Sequence, residues 1–315
     1  MGSSYWSDDF YKERAAERSR AGKDAFAYST SVAAAPRHEQ KVHDTLNPKG
    51  IKIRESRDSR EHPESLAIGV LLDVTGSMSR VPREVQGNLP KLMALITSLT
   101  GITDQQILFG AVGDSVSDRG SFQIGQFESG IEMEDNITNF WLEGGGGGTN
   151  QESYQNAMYF FSRHTSIDCM EKRGKKGYLF VIGDEAPYPR VSREEISRLM
   201  DVSLESDIPT ETLIKELQEK YHVFFLIPRN TSNGSSMTIR NIWVSLLGEE
   251  HVLNIDDTSV ICETIAVAIG LVEGRLTEDS LREVQDKYGK VLQPLARVAA
   301  KTGVALPPDG KTIRL

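Results

Sequence analysis

One stretch limits what this chain can fold into more than any other. Leu66 to Asp73 reads Leu-Ala-Ile-Gly-Val-Leu-Leu-Asp, an uncharged run closed by an acid. A run that short and that apolar fits a strand covered on both faces better than a helix with one wet side. The pattern recurs. Ile107–Val112 closes on Gly113-Asp114, Tyr178–Ile182 closes on Gly183-Asp184, and Val223–Ile227 stops at Pro228. Between these runs lie helical patterns, such as the stripe Leu89, Leu92, Met93, Ile96 and Leu99 and the amphipathic stretch Thr210–Lys220. Strands alternating with helices predict an α/β chain with a doubly wound, mostly parallel, Rossmann-like central sheet and helices on both faces. Ser121–Phe127 alternates (Phe122, Ile124, Phe127) so soon after the second run that it is expected to be an antiparallel edge strand.

Local signals refine this outline. Pro82 suits a helix start, and Pro90 should kink or split the helix that follows. Gln151–His164 is expected to be an aromatic-rich helix with Thr149 or Asn150 as N-cap, and Glu152 stands three residues after Thr149, where completing a capping box is a better reading than touching a metal. Leu281 to Leu295 predicts a last helix kinked near Pro294. Residues 1–65 form an N-terminal arm, 66–271 the main domain, and 272–315 a helical extension. In the arm, Ser7 or Asp8 can cap a helix reaching about Arg20, and Ile51 and Ile53 suggest a short edge strand. The arm is expected to be mobile until it meets a neighbour, with self-association as the sharper reading.

Charge narrows the function. The net charge of −9 is uneven: residues 1–65 carry 12 Lys/Arg against 11 Asp/Glu, and the remainder 24 against 34. An acidic body argues against a nucleic-acid surface. No apolar run is long enough to span a membrane, and the polar, acidic opening argues against a secretory signal. Two cysteines, Cys169 and Cys262, point to reduced thiols in a cytoplasm.

Oxygen-bearing side chains collect at the expected strand ends. Asp73, Thr75 and Ser77 follow the first run at alternate positions, Thr149 follows the five glycines Gly144–Gly148, and Asp184 closes a later strand. Ligands of doubly wound sheets sit at the carboxyl ends of strands where strand order reverses. Two carboxylates and three hydroxyls suit a hard divalent cation. Asp-x-Thr-x-Ser after a buried strand, then Gly-Thr, then Gly-Asp, resembles a von Willebrand factor type A domain with a metal-ion-dependent adhesion site. Thr75 stands where that family more often has serine. The resemblance implies that Asp73, Thr75, Ser77, Thr149 and Asp184 hold Mg²⁺, or Mn²⁺ or Ca²⁺, with Asp184 acting through water. It implies a non-enzymatic module that binds a Glu or Asp of a protein partner, of the intracellular bacterial or phage type, with an AAA-type ATPase as one such partner. It covers about residues 66–270.

Two other readings compete. A Mg²⁺-dependent phosphotransferase or phosphatase could use Asp73 as nucleophile, with Lys91 or Lys172 as the positioned cation. Thr75 stands where such enzymes carry a second aspartate, and no Gly-Lys-Ser/Thr follows the glycines. A structural subunit assembled through the arm is the third. Asp114 and Asp118 follow another strand and could add negative potential near the ion, though a surface loop is the favoured reading, and none of the six histidines is spaced like a zinc pair.

Overall fold

The computed structural model describes residues 4–145, 148–288 and 291–307. Its centre is a six-stranded sheet of β1 (Leu66–Asp73), β2 (Gln105–Val112), β3 (Phe122–Ile124), β4 (Gly177–Ile182), β5 (Tyr221–Pro228) and β6 (Val252–Ile255), in the order β6-β5-β4-β1-β2-β3. All neighbours run parallel except β3, which lies antiparallel to β2 at the edge. This is the doubly wound α/β arrangement that the apolar runs predict. Every residue of β1, β2 and β4 is buried, as strands covered on both faces require.

Strand order reverses at β1. The chain moves from β1 to β2 on one side and returns to place β4 on the other, so Asp73 and the Gly183-Asp184 turn end neighbouring strands. Close packing fixes that pairing. A Cβ on Gly69, in the middle of β1, would stand 2.4 Å from the Phe161 ring, so only glycine lets the Tyr154–Arg163 helix lie this close to the sheet.

Pro90 splits its helix as expected: Val81–Gly87 and Leu89–Thr100 are separate helices that meet at Asn88. Other expectations need revision. The aromatic helix starts at Tyr154 rather than Gln151. Asn150 takes a left-handed turn (φ 58°), and Gln151-Glu152 form a two-residue strand parallel to Ala186-Pro187. Thr149 and Glu152 therefore make no capping box. At the C-terminus two helices, Glu278–Tyr288 and Ala296–Thr302, replace one kinked helix.

The N-terminal segment packs on its own chain. Ser7 caps the Asp8–Arg20 helix by accepting from the Phe10 N–H, a contact worth about 1 kcal/mol. Arg18 donates to the buried Glu134 at 2.6 Å, Tyr11 donates its hydroxyl to Gln86 O at 2.9 Å, and Phe26 and Leu46 enter the common core. The expected edge strand falls at Arg54–Ser56, and its partner is Thr165–Ile167 rather than the central sheet. No helix among the described residues is long and apolar enough to cross a membrane.

Candidate functional site

The site builds outward from the end of β1. Asp73 is completely buried, and both its oxygens are engaged. Oδ1 accepts from the Thr75 N–H at 2.9 Å and the Thr75 hydroxyl at 2.5 Å, while Oδ2 accepts from the Tyr154 hydroxyl at 2.5 Å. The two-residue spacing of Asp73 and Thr75 is the geometry of an Asx turn, which folds the loop back on its own carboxylate. These residues do not cap the next helix, which starts from Arg80 with no side-chain cap.

Gly183 makes the Tyr154 contact possible. A Cβ there would fall 2.1 Å from the Tyr154 oxygen. The Tyr154 ring meets Phe225 and Trp243 edge-on at 5.4 and 5.6 Å, and those two stack at 3.8 Å. An aromatic floor thus underlies the acids and keeps bulk water from beneath them.

The first and third loops meet. Ser77 donates its hydroxyl to Asp184 Oδ1 at 2.9 Å across 107 residues of sequence, and the Asn233 N–H donates to Asp184 Oδ2 at 3.0 Å. Asn233 also donates its side-chain amide to Glu185 at 3.1 Å, and Trp243 donates its indole N–H to the Glu185 carbonyl at 2.8 Å. Asp184 is fully buried, not a solvated strand end.

The structure brings four of the five expected oxygens to this edge. Thr149 is the exception: it is exposed, its hydroxyl donates to Gln151 O at 3.3 Å, and Tyr188 lies beside it. Of the glycine run before it, Gly146 and Gly147 lie outside the described residues. The lysines considered for an enzyme lie elsewhere. Lys91 pairs with the buried Glu263, and Lys172 bonds Asp168 at 2.7 Å and Asp58 at 3.3 Å near the opposite end of β1.

Other acids stand here for which the sequence favoured blander roles. Asp114 is buried rather than on a surface loop and accepts from the Tyr188 hydroxyl at 3.1 Å. Glu152 is fully buried, and neither of its carboxylate oxygens has a hydrogen-bond partner. Burial, then the charges of Asp73, Glu185, Asp114 and Asp118, push the Glu152 carboxyl up to about 10. Burial, opposed by the Thr75 and Tyr154 hydrogen bonds and aided by Asp184, raises Asp73 to about 6; burial with the charges of Asp73, Asp184 and Asp114 raises Glu185 to about 7. Among the described residues no Lys or Arg pairs with Asp73, Asp114, Glu152, Asp184 or Glu185.

These residues fit a divalent cation by their chemistry. They offer hard oxygens, excess negative charge and an orphaned buried carboxyl. The fit depends on the Thr75 and Ser77 hydroxyls, because among the described residues no three His, Cys, Asp or Glu side chains close on one point as a preformed cage.

No family model matches the sequence, and no curated protein does. Among solved structures, the pilus adhesin SpaC from Lactobacillus rhamnosus GG, in its open conformation, is similar over 70% of this chain at 11% identity and a TM-score of 0.47. Proximal thread matrix protein 1 from the mussel byssus is similar over 64% at 10% identity and a TM-score of 0.42. The chain spans 31% of the adhesin and 46% of the matrix protein.

Proposed function

We propose that this protein is a metal-dependent protein-binding module of the von Willebrand factor type A kind, working in a cytoplasm and taking a Glu or Asp side chain of a partner. The observation that carries the reading is the Ser77–Asp184 hydrogen bond, which joins the Asp-x-Thr-x-Ser loop to the later strand-end aspartate. Thr75, Ser77, Asp73 and Asp184 would hold the cation. Mg²⁺ bound there supplies a Lewis-acidic position that an outside carboxylate can enter.

The chain's own residues do the rest. Tyr154 and Thr75 hold the Asp73 carboxylate in one orientation through bonds to its two oxygens. Asn233 fixes Asp184 from the far side, leaving the Ser77 edge facing outward. The aromatic floor lowers the local dielectric, which strengthens a charge-assisted contact with an incoming carboxylate. Binding is a better reading than phosphoryl transfer, because an Asp73 that is buried and bonded through both oxygens is a poor nucleophile. An AAA-type ATPase remains one partner of suitable kind.

The test is capture of partners from a host extract on immobilised full-length protein, with Mg²⁺ or with EDTA. The expected result is a partner retained only with Mg²⁺ and lost from Asp184→Asn. A partner held equally well in EDTA by both proteins would overturn the reading.

A further inference from the structure

Glu152 is pinned between two strand ends. Gln151 and Glu152 pair in parallel with Ala186 and Pro187, just beyond Asp184. The next backbone N–H, that of Ser153, donates to Gly113 O at 3.3 Å, at the end of β2. These bonds fix the residue between the loop after β2 and the loop that carries Asp184. Its carboxyl is shut away from solvent with both oxygens unpartnered.

A buried carboxylate without a partner is heavily penalised, and surrounding carboxylates deepen the penalty. The nearby donors are already committed: Tyr154 and Thr75 to Asp73, and Asn233 to Asp184 and Glu185. What is missing at Glu152 is positive charge. Thr149, the hydroxyl that the sequence offers from the same loop, is instead turned to Gln151 O and exposed.

We infer that Glu152, rather than Thr149, is the residue of the second loop that gives an oxygen, through a bridging water, to a divalent cation held between the first and third loops, since no three acids among the described residues meet at one point. The inference rests on the cation-binding reading of this edge. It changes that site's character. With Asp73 and Asp184, Glu152 adds a carboxylate where a hydroxyl was expected, so the ion is held by more negative charge. Less positive charge then remains for a partner's carboxylate, and Glu152 shifts the balance from partner affinity toward retention of the ion.

The experiment is titration of the full-length protein with Mn²⁺, following the signal of free ion by electron paramagnetic resonance. Wild type is expected to bind Mn²⁺ saturably. Glu152→Gln should weaken that binding by at least about tenfold, the scale seen when a supporting group of a metal site is removed, while Thr149→Ala leaves it unchanged. Glu152→Met, which keeps the bulk without oxygen, should act like Glu152→Gln. Both Glu152 variants should melt no lower than wild type in EDTA, because each deletes an unpartnered buried acid. Wild-type Mn²⁺ affinity in either Glu152 variant overturns the inference and leaves the cation site standing. A wild-type protein that binds no Mn²⁺ removes both.

Discussion

The two ends of β1 handle negative charge in opposite ways. Near its start, Arg57 reaches Asp168 and Glu171 at 2.8 Å each and Glu55 at 2.8 Å, while Lys172 and Arg173 converge on Asp58 at 3.3 and 2.8 Å. Those partners hold the Asp58, Asp168 and Glu171 carboxyls below their ordinary values, despite some burial. At its finish, Asp73, Glu152 and Glu185 are pushed upward, first by burial and then by neighbouring carboxylates. One end is neutralised from within the chain. The other meets no Lys or Arg among the described residues, and on the proposed reading its counter-charge would come from outside.

The contrast breaks most readily with metal. Mg²⁺ at a hundredfold excess over its Kd should stabilise wild type by about 2.7 kcal/mol. Asp73→Ala and the shape-preserving Asp184→Asn should abolish that gain in thermal melts with and without EDTA. A melting temperature indifferent to Mg²⁺ in wild type would make the two ends alike. At the other end, Arg57→Ala should cost roughly 1 kcal/mol, because the nearly buried Asp168 loses one of its two cations and keeps Lys172. Chemical denaturation measures this, and Mg²⁺ should not restore it.

Ser77→Ala sharpens the comparison on a smaller scale. It removes the one hydroxyl bridging the first and third loops, with a loss of about 1 kcal/mol without metal. The metal-linked gain should also shrink, which the same melts report. The smallest effect concerns acid. The Asp58 carboxyl is lowered in the folded state, so the unfolded chain binds more protons and stability rises with pH. That contribution is complete above the unfolded value near 3.8 and is lost as pH falls below it. Asp58→Asn should therefore flatten the acid limb of a stability profile below about pH 4 and lower its neutral plateau by the amount that wild type loses in acid. An unchanged limb would mean the Asp58 pairs contribute nothing.

Much of this architecture could be read in advance, for identifiable reasons. Strands buried on both faces, such as Leu66–Asp73 and Tyr178–Ile182, announce themselves as unbroken apolar runs, and their alternation with helices fixes the fold class. Asp73, Thr75 and Ser77 were legible because their spacing is local. Glu152 was not. Its role depends on a two-residue strand pairing with Ala186-Pro187, which no periodicity reveals, and on Asn150 adopting a left-handed turn that ends the expected helix early. The burial of Asp114 was hidden in the same way, because Tyr188 and the loops that cover it come from distant sequence. The packing of the N-terminal helix through Arg18 and Glu134 was equally beyond reach, since an ion pair across 116 residues leaves no local trace.

The strand order has a consequence for biosynthesis. β1 and β2 can pair as soon as both have been made, but β4 must arrive later to occupy the other flank of β1. Until it does, the edge of β1 stays open, Ser77 has no Asp184 to meet, and the acidic pocket is incomplete. On the cation-binding reading, a chain still emerging from the ribosome would engage neither ion nor partner at this place until Asp184, and Asn233 which holds it, had been made.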